Sequence, residues 1–232
     1  MTTIDPGTAD ALIEHLLQFV TPAKRARMEA VLAARTSRLQ VVLEDIFQPH
    51  NASAVMRSCE CFGIQHLHVI ENRYEYTLNR DVAMGSSKWI NLHRYRQPDI
   101  DNTHECLSRL RGEGFRIVAT SLDPESIPLN ELAADGKTSI WFGTEEDGLS
   151  QSVIEAADAR VHIPMRGFTQ SFNISVSAAI CLHELRTRLQ ETSADWPLTA
   201  PERRDVLLLW LRNSVRNVEV IERNFLKSRF AK

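Results

Sequence analysis

Short apolar runs alternate with longer amphipathic segments through residues 39–190, and three polar loops follow three of those runs. The alternation predicts an α/β fold with a mostly parallel sheet and flanking helices, because parallel strands need long crossover connections. Helical periodicity at both ends of the 232-residue chain adds terminal extensions. The expected division is residues 1–38, an N-terminal helical basic extension; 39–192, the α/β domain; and 193–232, a C-terminal helical basic extension.

Ala9 to Val20 and Lys24 to Ala34 read as amphipathic helices separated by Thr21-Pro22. Leu39 to Leu43 reads as a buried strand, and a Pro-His-Asn turn leads into a helix over Ala52 to Phe62, with Gly63 ending it. His66 to Ile70 and Lys88 to Leu92 are expected strands. Asp99 to Arg111 is an expected helix with Ile100, Leu107 and Leu110 on one face and Gly114 just past its end. Phe115 to Thr120 and Ser139 to Phe142 follow as strands. Ser150 is placed to cap a helix running to Asp158, Val161 to Pro164 is strand-like, and Asn173 to Gln190 is a long apolar-faced helix. Pro197 to Pro201 breaks the chain before Arg203 to Leu226, where Leu207, Leu211, Val215, Val218, Ile221 and Phe225 recur at helical spacing.

Several classes are excluded. The longest uncharged stretch, Gly167 to Leu182, is too polar and short for a membrane span. The opening MTTIDPGTADALIEHLL has no basic segment followed by an apolar one, so a cytoplasmic location is expected. Cys59, Cys61, Cys106 and Cys181 form no CxxC pair, and His66-x-His68 has no third ligand in register, so no metal is expected. The dinucleotide-binding G-x-G-x-x-G, the phosphate loop and the G-x-S-x-G elbow are absent.

The chain holds 27 basic and 30 acidic residues, a net charge of −3 that disfavours a nucleic-acid partner. The average conceals a distribution, although a run of charge is more often a solvated helix face than an RNA arm. Residues 1–40 are net +1, residues 41–200 net −8 and residues 201–232 net +4, so basic ends flank an acidic middle.

Ligands of open α/β sheets sit at loops after the carboxyl ends of strands, where the three polar loops fall. In the first, Asn51 is placed to cap the following helix and Arg57 is a solvated or a functional arginine. The second, Gly143-Thr-Glu-Glu-Asp-Gly148, reads as an acidic turn whose glycines supply positive φ. In the third, Met165 to Ser177, small residues around Gly167, Ser171 and Asn173 could surround an adenine or ribose, or form a capped helix start.

Together, His50-Asn51-x-Ser53-Ala54-x-x-Arg57, Phe142-Gly143-x-Glu145-x-x-Gly148-Leu149, and Ile163-Pro164-Met165-x-Gly167-x-x-x-Ser171-x-Asn173-x-Ser175-Val176-Ser177 resemble the SpoU/TrmH branch of the SPOUT superfamily of RNA 2′-O-ribose methyltransferases. The resemblance spans residues 22 to 190. It implies a C-terminal deep trefoil knot, S-adenosylmethionine as methyl donor, and a homodimer that buries the long helix. Arg57 is implied as the catalytic residue, with Asn51 orienting it and Glu145, Ser171 and Asn173 shaping the pocket. Thr120, Gly143, Ile163 and Phe172 are implied at the cofactor, Phe172 standing where family members commonly carry Leu.

Arg27, His50, Arg186 and Arg188 are implied at the RNA, the last pair sitting one residue earlier relative to Asn173 than is usual. The short basic first extension and the C-terminal helical one are similar to those of members that methylate guanosine 18 in the D-loop of transfer RNA (tRNA). Methylation of ribosomal RNA or of another tRNA position is the alternative, and a non-catalytic RNA-binding protein is the rival from another class.

Overall fold

The computed structural model describes residues 4–192 and 195–230. The boundary expected at 193 lies outside the described residues. Two compact units are present: the described residues of Met1–Arg35 with Leu198–Lys232, and Thr36–Pro197.

In the first unit both terminal segments build one helical core. Helix α1 (Pro6–Leu17) starts earlier than periodicity suggests, because the Asp5 carboxylate accepts from Thr8 N and Pro6 begins the first turn. Helix α2 spans Pro22–Ala33, so the Thr21-Pro22 break is its N-terminus: the Thr21 hydroxyl accepts from Lys24 N. The expected helix over Arg203 to Leu226 is two helices, α8 (Ala200–Arg212) and α9 (Val218–Phe230). Asn217, at φ 53°, turns the chain between them, and the Arg212 guanidinium then pairs with Glu222. Thr199 and Glu202 form a capping box at the start of α8. Leu12, Leu16, Val206, Trp210 and Leu211 are buried, and the fully buried Arg35 lies 5.3 Å over the Trp210 ring.

The second unit is an all-parallel, seven-stranded sheet in the order β3-β2-β1-β6-β4-β7-β5. The strands are β1 (Leu39–Glu44), β2 (His66–Ile70), β3 (Asn91–Tyr95), β4 (Arg116–Thr120), β5 (Ile127–Pro128), β6 (Thr138–Phe142) and β7 (Ala159–His162). The helices are α3 (Pro49–Cys61), α4 (Arg80–Ala83), α5 (Asn102–Gly112), α6 (Gln151–Ala156) and α7 (Ile174–Thr192). Period-2 alternation sorts β1 between two cores. Leu39, Val41 and Leu43 pack with Val55 and Cys59 of α3 and Leu182 of α7, while Val42 packs with Cys106, Leu107 and Leu110 of α5 and Val153 of α6.

Several boundaries differ from expectation. The strand expected at Lys88–Leu92 lies at Asn91–Tyr95, and 86–88 form a 3-10 turn entered from Gly85 at φ +79°. As the sheet's edge, β3 tolerates polar residues that hide its period. Ile100 precedes α5 and is 47% exposed, because Asp101 caps the helix by accepting from His104 N. Ser150 precedes α6 but gives its hydroxyl to Glu44 instead of to the helix backbone. Helix α3 begins at Pro49, with Gln48 and not Asn51 at the N-cap position, since Pro is pre-organised for the first helical residue. The short α4 and two-residue β5 carry no sequence period at all.

The histidine pair belongs to the β2–β3 edge. His68 is fully buried, with Nε2–H donating to the Gln40 carbonyl oxygen at 2.6 Å and Nδ1 accepting from the Tyr95 hydroxyl at 3.0 Å. His66 meets His93 at 2.9 Å, and His93 stacks on His68 with ring centroids 4.5 Å apart. Burial, reinforced by the neighbouring imidazoles, pushes the His68 pKa down to about 2 and that of His93 to about 4. Below about pH 6.5 the unfolded chain therefore binds protons that the folded chain refuses. Stability should be complete above that pH and decline as pH falls towards 5, with His68 contributing a slope of up to about 1.4 kcal/mol per pH unit. Urea unfolding between pH 7.5 and 5 measures it; His68→Gln should make the profile shallower, and an unchanged slope would remove His68 as a cause.

Candidate functional site

The site lies where strand ends deliver the three loops. Loop one leaves β1, loop two leaves the adjacent β6, and loop three leaves β7 for α7. Because α3 starts at Pro49, Asn51 falls in its first turn, 4% exposed, with its carboxamide free of capping work. Its Nδ2 donates to Gln48 Oε1 at 3.2 Å and to the Glu145 carboxylate, while its Oδ1 accepts from Asn173 Nδ2 at 3.1 Å. Asn173 Oδ1 accepts in turn from the Ser175 amide at 2.9 Å and hydroxyl at 2.6 Å. One hydrogen-bonded chain thus joins all three motifs.

Arg57, further along α3, is exposed, and among the described residues it makes no hydrogen bond or ion pair. Glu145 meets Asn51, which leaves the Arg57 charge unneutralised. Ser53 is buried and accepts from Asn79 N at 2.9 Å, tying α3 to the start of α4.

Beside this chain opens a cavity of about 550 Å³. Thr120, Gly143, Glu145, Ile163, Ser171 and Phe172 all line it, so it brings together the four residues expected at a cofactor and two of those expected in catalysis. Thr120 donates its hydroxyl proton to the Trp141 carbonyl at 2.8 Å. Gly143 is required sterically: a Cβ there would lie 2.1 Å from the Gly148 carbonyl and 2.3 Å from Leu149 N. The turn is closed by Thr144 N to Gly148 O at 3.0 Å and Gly148 N to Thr144 O at 3.1 Å, with Gly148 at φ +72°.

Of the residues expected at RNA, the three in this unit lie apart, His50 on α3 and Arg186 and Arg188 on α7. His50 is exposed in the first turn of α3, and Arg27 is exposed on α2 of the other unit. Arg186 is 9% exposed, its guanidinium 4.1 Å over the Trp196 ring, and burial lowers its pKa. Arg188 donates to the Leu129 carbonyl at 3.4 Å and to that of Leu132, and lies 3.7 Å from Glu184. Two residues apart on a helix, the pair points to opposite sides. Among the described residues no three metal-ligating side chains cluster, and no helix is long and apolar enough to cross a membrane.

Sequence reasoning missed three organising residues. Glu44, at the end of β1 and 3% exposed, accepts from the Ser150 amide, the Ser150 hydroxyl and the Thr103 hydroxyl, each at 2.8 Å. Asp45, at φ 53°, accepts from the Asn72 and Arg73 amides. Gln48 holds Asn51. The available signal was an acidic pair following the apolar Val41–Leu43 run, at the carboxyl end of a strand where open sheets bind ligands.

Known proteins resemble this chain over most of its length. The SpoU rRNA Methylase family pattern matches residues 38–183. The tRNA (guanosine(18)-2′-O)-methyltransferase of Borreliella burgdorferi is 48% identical over 89% of this chain and 93% of its own length. That of Thermus thermophilus is 36% identical over 83% and 97%. The crystal structure of the A. aeolicus TrmH/SpoU tRNA modifying enzyme superposes with a TM-score of 0.73 at 31% identity, covering 83% of this chain and 98% of that one. The α/β sheet described above is the fold of this group, which is defined by a C-terminal trefoil knot. With more than half its length matched by the family pattern and the three motifs joined by one hydrogen-bonded chain, the chain belongs to the SpoU rRNA Methylase family, the SpoU/TrmH branch of the SPOUT methyltransferases.

Proposed function

We propose that this protein methylates the ribose 2′-oxygen of guanosine 18 in the D-loop of tRNA, using S-adenosylmethionine. The carrying observation is the hydrogen-bonded chain Gln48–Asn51–Glu145 and Asn51–Asn173, which reaches the cavity through Glu145, with Arg57 on the same helix unpaired among the described residues. The position on tRNA is supported by the two relatives that carry out this reaction, nearly all of whose length the chain covers.

About 550 Å³ falls within the range of small-molecule sites, and the wall mixes apolar Ile163 and Phe172 with the Thr120 hydroxyl and Glu145 carboxylate. Those residues suit a ligand with an adenine, a ribose and a charged amino-acid end. S-adenosylmethionine supplies an electrophilic methyl group on a sulfonium that departs as a neutral thioether. The protein must orient the ribose and ease proton loss from a weakly nucleophilic alcohol. A guanidinium carries a permanent charge and no acceptor atom, so Arg57 acts by stabilising the developing alkoxide and holding a neighbouring phosphate. Asn51, fixed by Glu145 and Asn173, keeps the first turn of α3 aligned with the cavity, and Ser171 borders the reacting end.

The acting species is a cytoplasmic homodimer in this reading. A mainly apolar hollow beside α7, lined by Leu129, Ile163, Pro164 and Ile180, supports burial of that helix against a second copy. The basic extensions, 1–38 and 193–232, are assigned to holding tRNA.

Incubating the protein with labelled S-adenosylmethionine, unmodified tRNA and ribosomal RNA, then mapping the methylated ribose, tests the reaction; label in ribosomal RNA alone would overturn the tRNA assignment. Arg57→Ala should abolish methyl transfer while calorimetry finds cofactor affinity unchanged, whereas lost cofactor binding would make Arg57 structural. Gly143→Ala should do the opposite, weakening cofactor binding about tenfold or more, since the new Cβ displaces the Gly148 backbone. In the basic tail Arg204 lies 3.7 Å from Asp10 and Arg212 pairs with Glu222, so the informative substitutions are Arg203→Ala and Arg216→Ala. Each should weaken tRNA binding and lower the salt slope by about one, and an unchanged slope in filter binding would detach the tail from RNA.

A further inference from the structure

We propose that Phe47 and Tyr74 form an aromatic platform on which an unstacked base of the substrate RNA rests during methylation. The inference rests on the RNA methyltransferase reading and goes beyond it, since neither residue belongs to the three motifs.

Both rings are open to solvent, Phe47 at 62% and Tyr74 at 39% exposure, although the unit buries most of its large apolar side chains. They meet edge to face, with centroids 5.0 Å apart and planes at 66°. Phe47 lies between β1 and α3, and Tyr74 in the segment between β2 and α4, so the pair spans the carboxyl ends of two neighbouring parallel strands. Phe47 directly precedes Gln48, which holds Asn51.

The pair is held in place from a residue in the left-handed backbone region. Asp45, a non-glycine residue at φ 53° and 5% exposed, directs Oδ1 to the Asn72 amide at 2.7 Å and the Arg73 amide at 2.8 Å. Its own amide donates to Ile70 O at 3.0 Å. Arg73 reaches back to Asp45 at 3.8 Å and across to Asp147 of the second motif at 3.0 Å. On the following turn the Tyr76 amide donates to Glu71, whose carboxylate is held by Arg94. A strained residue, a buried carboxylate and a link to the catalytic loop thus hold two rings that the core does not use.

The chemistry supplies the occupant. A ribose 2′-hydroxyl inside a folded RNA loop is reached when its nucleotide leaves the stack, and the base then loses its stacking partners. An exposed aromatic face replaces them, and the exposed His50 and unpaired Arg57 on the adjoining helix suit the phosphates on either side. Because every base has a π-face, the platform positions without reading identity, so exchanging the resting base should change little.

Full-length protein, unmodified tRNA transcript and labelled S-adenosylmethionine provide the test. The double variant Phe47→Ala/Tyr74→Ala should lower kcat/KM for tRNA about tenfold or more, with melting temperature and cofactor affinity unchanged. Phe47→Tyr and Tyr74→Phe should retain activity within about twofold, because each keeps the ring that stacks. Transcripts carrying 2-aminopurine at the modified position or at either neighbour should be quenched at one of these positions by wild type and stay bright with the double variant. Equal kcat/KM and equal quenching would overturn the platform. So would a double variant that changes oligomeric state in sedimentation at unaltered tRNA affinity, which would assign the rings to a second copy of the chain. A wild-type protein that methylates no RNA overturns the functional reading itself, whereas an active wild type indistinguishable from the double variant overturns the platform alone.

Discussion

The site depends on one buried carboxamide. Asn51 joins loops separated by 94 and 122 residues in the chain, donating to Glu145 and accepting from Asn173. Had the helix begun one residue beyond Asn51, the same side chain would have served the backbone of α3 as a cap, and nothing would hold the three motifs together. Proline at position 49 moves the helix start back and frees it. Burial raises the stakes, because a buried amide deprived of its partners costs about 1–3 kcal/mol.

Acidic side chains at strand ends do similar work for the backbone around the cavity. Glu44 secures the start of α6, Asp45 the segment after β2, and Glu71 the turn at Tyr76. Each is buried or nearly so and is bonded inside the fold. The net −8 of residues 41–200 therefore includes charges committed to loop architecture, which explains how an acidic middle can coexist with an RNA substrate. It also separates two kinds of arginine. Arg94, Arg188 and Arg212 are engaged with carboxylates or carbonyls, whereas the side chains of Arg57 and Arg203 have no such partner among the described residues.

Element type was readable wherever a period was long and clean, as in the strands at Leu39, Phe115 and Ser139 and the helix after Asn173. Boundaries were readable only where local chemistry set them, and competing signals misled. The apolar Trp89-Ile90 pair looked more strand-like than the edge strand beside it, since an edge needs fewer apolar residues. Apolar spacing continued through Asn213–Asn217 although the chain turns there, because α8 buries an apolar stripe and α9 half-buries one. The bland reading of Asn51 as a cap lost to Pro49, a residue whose helix-starting preference was visible in the sequence.

By itself the sequence determined the α/β alternation, the three motifs and their placement after strands, because periodicity, glycine tolerance and capping act over a few neighbouring residues. Only the tertiary structure decided which side chains meet. Asn51 reaches Glu145 because β1 and β6 are neighbours in the sheet order, although four strands separate them along the chain. That order also sets Asp45 against the segment that carries Tyr74. Pairings of this kind depend on the crossing of distant segments, for which no local residue pattern carries a signal.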